Sequence, residues 1–169
     1  MNGVTVTSKS TVTVNKSRVS KSEIKLATVD EMLAKATILF EEHYEEIARN
    51  KEVMKLKPDE ETYRNLEKMR RIFILSAWQD DILIGYSVNF VLNHPHYADL
   101  VLAQNDLLYI KKEMRGSRAG LKLIKQTETH AKSLGCKLML WHAKEDTTLA
   151  HMLPRLKYGV QDIIYSKEL

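Results

Sequence analysis

LLYIKKEMRGSRAGLKLIKQTETHA, residues 107–131, is the stretch that decides the fold of this chain. It runs from an apolar segment through a short basic loop into a helix with glycines at its opening. The first N–H groups of a helix have no acceptor within the helix, and the helix dipole makes this end electropositive. A glycine-bearing loop directly ahead of such a helix therefore predicts an anion site of the kind that holds phosphate groups.

Length and composition indicate one folded domain. The chain has 169 residues, 44% of them apolar and 28% charged, which is ordinary for a globular protein that buries a core. We expect neither a membrane span nor a secretory signal, because the apolar runs are only a few residues long. Cys136 is the only cysteine, which predicts a reducing, cytoplasmic environment. It reads more readily as a packed residue than as a reactive thiol.

The net charge of +4 comes from the N-terminus. Residues 1–21 contain four basic residues and no acid, and the remaining 22 basic residues balance the 22 acidic ones. We therefore expect a basic tail, residues 1–21, and a formally neutral domain, residues 22–169. A neutral domain argues against a dedicated nucleic-acid-binding surface. The Ser-, Thr- and Val-rich tail predicts a disordered leader, with a short edge hairpin as the alternative.

Hydrophobic periodicity predicts an α/β protein with a mixed sheet. One helix begins at a capping-box sequence, Thr28–Glu31, and a second follows Pro58. Asp80-Asp81 predicts the turn of a β-hairpin, and Gly135 predicts the end of the helix that follows the basic loop. His94-Pro95-His96 predicts a turn rather than a metal site, because no acid or cysteine completes a ligand set. The predicted strands are Glu23–Ala27, Ile72–Gln79, Ile82–Leu92, Leu100–Ile110, Cys136–His142 and Gly159–Lys167, and the later helices are Arg118–Leu134 and Asp146–Leu153.

The loop and the element order resemble the GNAT superfamily of acyl-CoA-dependent N-acyltransferases, from Glu23 onward. The family's cofactor loop has Arg or Gln, two residues, Gly, one residue, then Gly or Ala. Residues 115–120, RGSRAG, match its first arginine, following glycine and final glycine, but Arg118 replaces the middle glycine. Gly85-Tyr86 and the segment 153–158 are similar to two further family motifs. Residues 141–144 also resemble compact GNAT proteins encoded by bacteriophages, which would place the protein in a host cytoplasm.

The resemblance implies a sheet of about six to seven strands, splayed between strands four and five, with about four helices. It also implies acetyl-CoA as co-substrate. The pantetheine would pair with the backbone of the strand that precedes the loop, and the pyrophosphate would lie on the loop. The residues implied in cofactor binding are Leu108, Tyr109, Ile110, Arg115, Gly116, Ser117, Arg118, Ala119 and Gly120.

The implied chemistry is direct attack of a primary amine on the thioester, which needs a proton acceptor and no covalent nucleophile. Asp106 lies on the strand that often carries the family's acidic base, and His142 has a suitable ordinary pKa. The family's frequent acid, a late-helix tyrosine, is replaced by Leu153, which leaves Tyr158 as a substitute. Each of the three also has a purely structural reading: a strand-edge aspartate, a packing histidine and a core tyrosine.

Three functional hypotheses follow. The first is an N-acetyltransferase whose acceptor is a small-molecule amine, a protein lysine or a protein N-terminus. The second is a catalytically silent GNAT-like protein that binds CoA or serves as an interaction module. The third is nucleic-acid binding by the basic tail. A homodimer stays open, and neither a metal nor a membrane partner is expected.

Overall fold

The computed structural model describes residues 21–168 as a five-stranded mixed sheet covered by helices. The predicted tail therefore lies almost wholly outside the described residues. The strands are β1 (Glu23–Ala27), β2 (Ile72–Gln79), β3 (Ile82–Asn93), β4 (Val101–Ile110) and β5 (Leu138–Leu140). The helices are α1 (Val29–Lys35), α2 (Thr37–Ile47), α3 (Glu60–Lys68), α4 (Ala119–Ser133) and α5 (Thr148–Arg155), with a 3₁₀ turn at Lys112–Met114.

The strands follow one another across the sheet in chain order, β1 to β5. The first four are antiparallel, and β5 is parallel to β4 because helix α4 carries the chain back across the sheet. The β2–β3 hairpin turns at Asp80 and Asp81, whose φ angles are 49° and 65°. Two consecutive left-handed residues form the turn that matches the twist of a hairpin, so the predicted hairpin is confirmed.

Alternation along β2 divides the core between two faces. Ile72 and Ile74 pack with α1, α2 and α3 on one face, while Phe73 and Leu75 pack on the α4 face. We call these the α2 face and the α4 face. The principal α2-face residues are Val29, Met32, Leu39, Tyr86, Val88 and Tyr109, and the principal α4-face residues are Ala77, Ile84, Ile110, Leu123, Ala131 and Cys136.

Local signals fix several helix ends as predicted. Thr28 and Glu31 form a reciprocal capping box, with the Thr28 side chain accepting from the Glu31 N–H at 3.1 Å. Asp59 caps α3 by accepting from the Thr62 N–H at 3.0 Å. Gly135, with φ 84°, follows the end of α4, the position where a left-handed residue stops a helix. No helix in residues 21–168 is long and apolar enough to cross a membrane.

The element count differs from the prediction. The described residues form five strands rather than six to seven, because Gly159–Lys167 has no regular structure and its apolar side chains are exposed. They form five α-helices rather than about four, because the first predicted helix divides at Ala36 (φ −107°, ψ 6°). Pro154 lies inside the last turn of α5 instead of ending it. Strand β5 is also shorter than the predicted Cys136–His142.

Candidate active site

Asp106 lies at a β-bulge in β4. Val88 of β3 is opposite Leu107, whereas the next residue, Asn89, is opposite Asn105, so Asp106 has no partner on β3. A bulge turns the extra residue out of the strand's alternation and is common beside active sites. The exposed Asp106 carboxylate accepts a hydrogen bond of 3.0 Å from the Tyr63 hydroxyl of α3. Burial, followed by the Asp106 charge and this bond, raises the Tyr63 pKa well above its ordinary value.

The pairing of β4 with β5 stops just before this bulge. Only three residue pairs are parallel partners, ending at Gln104 and Leu140. At the next position the buried Asn105 side chain bridges the two chain segments, its Oδ1 accepting from the His142 N–H. Residues 105–110 of β4 therefore have an edge that β5 does not cover, as expected for strands that splay between positions four and five.

The uncovered edge of β4 presents alternate backbone groups. The Lys111 N–H donates to the Ile84 carbonyl of β3 at 2.8 Å. By alternation, Tyr109 also faces β3, while the N–H and C=O groups of Leu108 and Ile110 face the open side. An extended ligand can add to such an edge as a further strand. Leu108 and Ile110 are thus placed as the prediction requires, although the Ile110 carbonyl already accepts from Arg115 Nε at 3.0 Å.

The loop between β4 and α4 forms a backbone cradle. Gly116 and Arg118 have φ angles of 88° and 66°, and Arg118 is the N-cap of α4 without a side-chain cap bond. No carbonyl or side chain of the described residues accepts from the N–H groups of Gly116, Arg118, Gly120 and Leu121. Free N–H groups in and before the first turn of a helix bind anions such as a pyrophosphate, so the residues present fit the diphosphate of coenzyme A.

The conformation of Arg118 explains why the family motif has a glycine at this position. A left-handed backbone suits glycine and costs another L-residue about 1 kcal/mol. The exposed Arg118 therefore stands at the position where glycine is favoured. Gly116 has open space around the site of a Cβ atom, and a Cβ on Gly120 would lie 3.6 Å from Ile110 Cγ1, an ordinary contact. Backbone conformation, rather than crowding within this structure, distinguishes positions 116 and 118.

Arg115 is engaged with helix α2. Its Nη1 and Nη2 atoms donate to the two Glu46 carboxylate oxygens at 2.6 and 2.7 Å. This two-bonded ion pair holds the Glu46 pKa below its usual range and raises the Arg115 pKa. The guanidinium thus joins the loop to α2 and, through its Nε, to the end of β4. In this structure Arg115 positions the loop, and its donors are directed toward Glu46 and the Ile110 carbonyl.

Helix α2 also bonds to the chain that follows β5. Lys144 Nζ donates to the Ile47 carbonyl at 2.9 Å, and Arg49 Nη2 donates to the Glu145 carbonyl at 2.9 Å. Together with Arg115, these bonds connect the end of α2 to the segments after both β4 and β5. A polar cavity of about 310 Å³ lies between this end of α2 and residues 144–148. Helix α2 therefore bridges the two sides of the splay.

His43 of helix α2 packs against two buried aromatic rings of the sheet, Tyr86 and Tyr109. His43 Nδ1 lies 2.7 Å from the Tyr86 hydroxyl, and its ring stacks on Tyr109 with centroids 4.8 Å apart. Burial lowers the His43 pKa to about 4, so the ring is neutral at pH 7. The Tyr109 hydroxyl donates to Glu42 Oε2 at 3.4 Å, and burial, with the nearby Glu42 charge, raises the Tyr109 pKa to about 12.

The predicted catalytic residues are not gathered at one point. Asp106 contacts Tyr63 of α3, on the α2 face, whereas the Tyr158 hydroxyl donates to Glu128 Oε1 of α4, on the opposite face. Burial and this hydrogen bond raise the Tyr158 pKa to about 12. His142 is exposed and joins the site through its backbone N–H. No direct contact connects Asp106, His142 and Tyr158.

The acidic side chains of α2 are largely neutralised within the protein. Glu45 pairs with Lys51 at 2.7 Å, Glu46 pairs with Arg115, and Glu42 lies 3.8 Å from Lys111 Nζ. They therefore offer little free charge to a cationic acceptor. Within residues 21–168, no group of three or more His, Cys, Asp or Glu side chains could hold a metal ion, and residues 94–97 form a turn as predicted.

Sequence reasoning missed three contributors to this site: Tyr63, Asn105 and Glu46. None of the three belongs to a sequence motif or to the predicted site residues. Each acts through a partner distant in sequence, 43, 37 and 69 residues away. The local sequence pattern does not predict pairs of residues that are so far apart in the chain. The polar Asn105-Asp106 pair inside an apolar strand was the one available signal.

The open β4 edge and the backbone cradle lie next to each other at the end of β4. The model of the acetyltransferase (GNAT) family matches residues 38–158. The chain belongs to this family. No curated protein matches the chain.

Solved structures share the fold at low sequence identity. An aminoglycoside acetyltransferase, meta-AAC0020, from an uncultured soil metagenomic sample is 18% identical, with 88% of this chain and 96% of that chain covered and a TM-score of 0.66. A ribosomal-protein-alanine N-acetyltransferase from Brucella melitensis is 18% identical, with 88% and 97% covered and a TM-score of 0.63. Glucosamine-6-phosphate N-acetyltransferase from Arabidopsis thaliana is 16% identical, with 88% and 98% covered and a TM-score of 0.63. At these identities the likeness shows the fold alone.

Proposed function

We propose that the protein is an acetyl-CoA-dependent N-acetyltransferase that moves the acetyl group directly to a primary amine in a ternary complex. One observation carries the proposal: the uncovered edge of β4 is followed, after one 3₁₀ turn, by a helix start where four N–H groups have no acceptor within residues 21–168, namely those of Gly116, Arg118, Gly120 and Leu121. An extended pantetheine and its diphosphate need this continuity of strand edge and anion cradle.

Bound acetyl-CoA supplies the thioester carbonyl. The amine nitrogen attacks that carbon, a C–N bond forms, the C–S bond breaks, and coenzyme A leaves as a thiolate that takes up a proton. The proton lost by the amine passes to Asp106, directly or through a water molecule. Tyr63 donates to the Asp106 carboxylate and holds it in one orientation. His142 is a second candidate base and Tyr158 the candidate acid.

The acceptor enters from the α2 face in this proposal. Asp106 contacts α3 on that face, and the end of α2 spans the gap between the segments after β4 and β5. The acceptor is a small molecule, a protein lysine or a protein N-terminus. The solved structures of similar fold act, by their names, on aminoglycosides, a ribosomal-protein alanine and glucosamine-6-phosphate, so the fold leaves the acceptor open.

Thiol release from acetyl-CoA, measured against a panel of polyamines, aminoglycosides, amino sugars and peptides, tests the proposal. Asp106→Asn should lower kcat/KM about 100-fold for the best amine, as expected for loss of a general base. The matched control is Asp99→Asn in the loop before β4. Turnover unchanged in Asp106→Asn would remove this residue from the mechanism. No turnover with any amine, despite measurable CoA binding, would contradict the proposal that the protein is an enzyme.

A catalytically silent CoA-binding protein is the alternative, and two observations favour it. Leu153 replaces the family's tyrosine and is buried, and the Tyr158 hydroxyl is bonded to Glu128 on the α4 face. Under the enzyme hypothesis, Tyr158→Phe should lower kcat several-fold while leaving CoA affinity unchanged. The exposed Tyr97→Phe is its control. The cytoplasmic location, the bacteriophage type and nucleic-acid binding by the tail stay predictions.

A further inference from the structure

Asn105 places a primary amide at the point where β4 and β5 part. The residue is 1% exposed, and it lies one position beyond Gln104, the last residue of β4 that pairs with β5. Its Oδ1 accepts from the His142 N–H. A backbone N–H can only donate, so this bond fixes which end of the amide is the oxygen. The Nδ2 group is therefore the end that is directed away from His142.

The Nδ2 group of Asn105 has no acceptor within the part of the chain that the structure describes. Its partner across the sheet, Asn89, is bonded internally, because its Nδ2 donates to Ser87 Oγ at 3.0 Å and to the Phe73 carbonyl at 3.5 Å. Thr127 Oγ1 is the one fully enclosed side-chain oxygen or nitrogen without a partner in that part of the chain. The unbonded Nδ2 of Asn105 therefore reaches accessible space. Buried polar groups are almost always hydrogen-bonded, so a free donor on a buried residue indicates a ligand.

The position of Asn105 matches the reactive end of the cofactor rather than its diphosphate end. The cradle follows β4, and the open edge runs back from Ile110 through Leu108 to Asn105. Asn105 precedes Leu108 by three residues, which is about 10 Å of extended strand. An arm that is held at the cradle and pairs with Ile110 and Leu108 therefore carries its thioester toward Asn105. Asp106, the proposed base, is the next residue, so a free donor and a carboxylate lie at the same end of the open edge.

We propose that Asn105 is a catalytic residue whose Nδ2 donates a hydrogen bond to the thioester carbonyl oxygen of acetyl-CoA and stabilises the oxyanion that forms there. The inference rests on the proposed function. As the amine nitrogen bonds to the carbonyl carbon, the C=O π electrons move to the oxygen, and they return when the C–S bond breaks and the thiolate leaves. The amide keeps its protons throughout, while the proton of the amine passes to Asp106. Because the His142 N–H holds the amide in one orientation, the donor is in place before charge develops.

The carbonyl of bound acetyl-CoA reports this hydrogen bond without turnover. With carbon-13 at the thioester carbonyl, isotope-edited infrared spectra should show the C=O band of bound acetyl-CoA at lower frequency than that of free acetyl-CoA. Asn105→Asp keeps the shape and an oxygen for the His142 N–H but removes the amide nitrogen, so the shift should be lost. Asn93→Asp makes the same chemical change at the exposed end of β3 and should keep the full shift. A full shift in Asn105→Asp would overturn the proposal.

A measurement on the unmodified protein does not depend on whether a variant folds. The side-chain amide signals of Asn105, assigned through its backbone, should shift on addition of acetyl-CoA and should move little with CoA, which has no carbonyl at its sulfur. The side-chain amide signals of Asn93 should stay in place with both ligands. Equal movement of the Asn105 signals with the two ligands would contradict a contact with the carbonyl.

Kinetics separate a catalytic role from a structural one. With the best amine of the panel, Asn105→Asp should lower kcat by about 100- to 1,000-fold, the loss found on removing one oxyanion donor, while the affinity for acetyl-CoA changes little. The deficit should shrink at low pH, because the introduced carboxyl regains a proton to donate, whereas a packing defect would not depend on pH in this way. An unchanged kcat, or a loss confined to acetyl-CoA affinity, would show that Asn105 only holds the strands. Acetyl-CoA binding with the full infrared shift but without turnover would support the contact and contradict the proposed enzyme, so the two failures are distinguishable.

Discussion

Arg118 occupies a backbone conformation that favours the glycine of the family motif. Its left-handed φ of 66° disfavours any residue with a Cβ atom. Arg118→Gly should therefore raise the free energy of unfolding by about 0.5–1 kcal/mol, the relief of strain being partly offset by the entropy of the unfolded glycine. Urea denaturation measures the change. The matched variant, Gly116→Ala at φ 88°, should lower the free energy by about 1 kcal/mol, because no atom contacts the added Cβ and the backbone strain exceeds the gain from a less flexible unfolded chain.

The opposite result in either loop variant would contradict this account of the loop. If Arg118→Gly destabilised the protein, the guanidinium would have to make a stabilising contact that outweighs the strain. If Gly116→Ala were neutral, the loop would not depend on its left-handed positions.

His43 makes stability depend on pH in a defined window. Burial lowers its folded-state pKa to about 4, below the ordinary unfolded value of about 6.5. The unfolded chain therefore takes up the proton first, so stability is full above pH 6.5 and falls as the pH drops toward 4. The loss from this group is at most about 3 kcal/mol by linkage.

Chemical denaturation at pH 7, 5.5 and 4.5 checks this dependence. His43→Gln, which keeps a hydrogen-bonding partner for Tyr86, should show a smaller loss between pH 7 and 4.5 than the unmodified protein. His96→Gln, in the exposed turn, is the control and should keep the full loss. Equal losses in all three proteins would show that His43 is not the titrating group.

At the scale of elements, the Arg115–Glu46 pair couples α2 to the cofactor loop. Glu46→Ala should lower the free energy of unfolding by only about 0.5–1 kcal/mol, because both side chains are partly exposed. Loss of the tether should also weaken CoA binding several-fold in isothermal titration, since the cradle amides are then less ordered. Glu45→Ala on the same helix, which breaks only the exposed Lys51 pair, should leave CoA affinity unchanged. Tighter CoA binding in Glu46→Ala would show instead that Arg115 is a direct phosphate ligand held back by Glu46.

Gly85 fixes the approach of β3 to β4 where β4 enters the loop. A Cβ atom at this position would lie 2.4 Å from the Tyr109 carbonyl oxygen and 2.5 Å from Ile110 Cδ1. Gly85→Ala should therefore force the strands apart and cost about 3 kcal/mol, at the upper end for overpacking. Gly120→Ala, with only an ordinary contact, should be neutral or slightly stabilising in the same thermal-unfolding assay. Equal melting temperatures for Gly85→Ala and the unmodified protein would contradict the close packing.

The sequence predicted these elements well where the signal is local. The Thr28 capping box, the Asp80-Asp81 turn and the helix stop at Gly135 each depend on residues a few positions apart. The division at Ala36 was missed because the apolar stripe continues through it. The predicted strand Gly159–Lys167 was wrong for the described chain, because its apolar residues report strand propensity, whereas pairing depends on a partner strand. The bulge at Asp106 was likewise invisible, since it exists only in register with β3.

At the scale of the whole molecule, the two faces of the sheet differ: one packs against the helix that begins at the loop, and the other carries the proposed catalytic base. The α4 face carries the apolar support of the loop, and the α2 face carries Asp106 and the bridge across the splay. The resemblance placed the cofactor residues on one continuous strand and loop, and the described structure has that continuity. The catalytic residues were harder to predict, because their roles depend on long-range partners such as Tyr63 and Glu128.

The central claim is that the backbone of the cradle holds the diphosphate of acetyl-CoA. Amide chemical shifts of the isotope-labelled protein during titration with acetyl-CoA test it most directly. We predict that the amides of Gly116, Arg118, Gly120 and Leu121 shift strongly and saturably, together with Leu108 and Ile110 on the open edge of β4. Pantetheine without the diphosphate should move the β4 amides only. Binding of acetyl-CoA that leaves the four cradle amides unshifted, or no binding at all, would contradict the account.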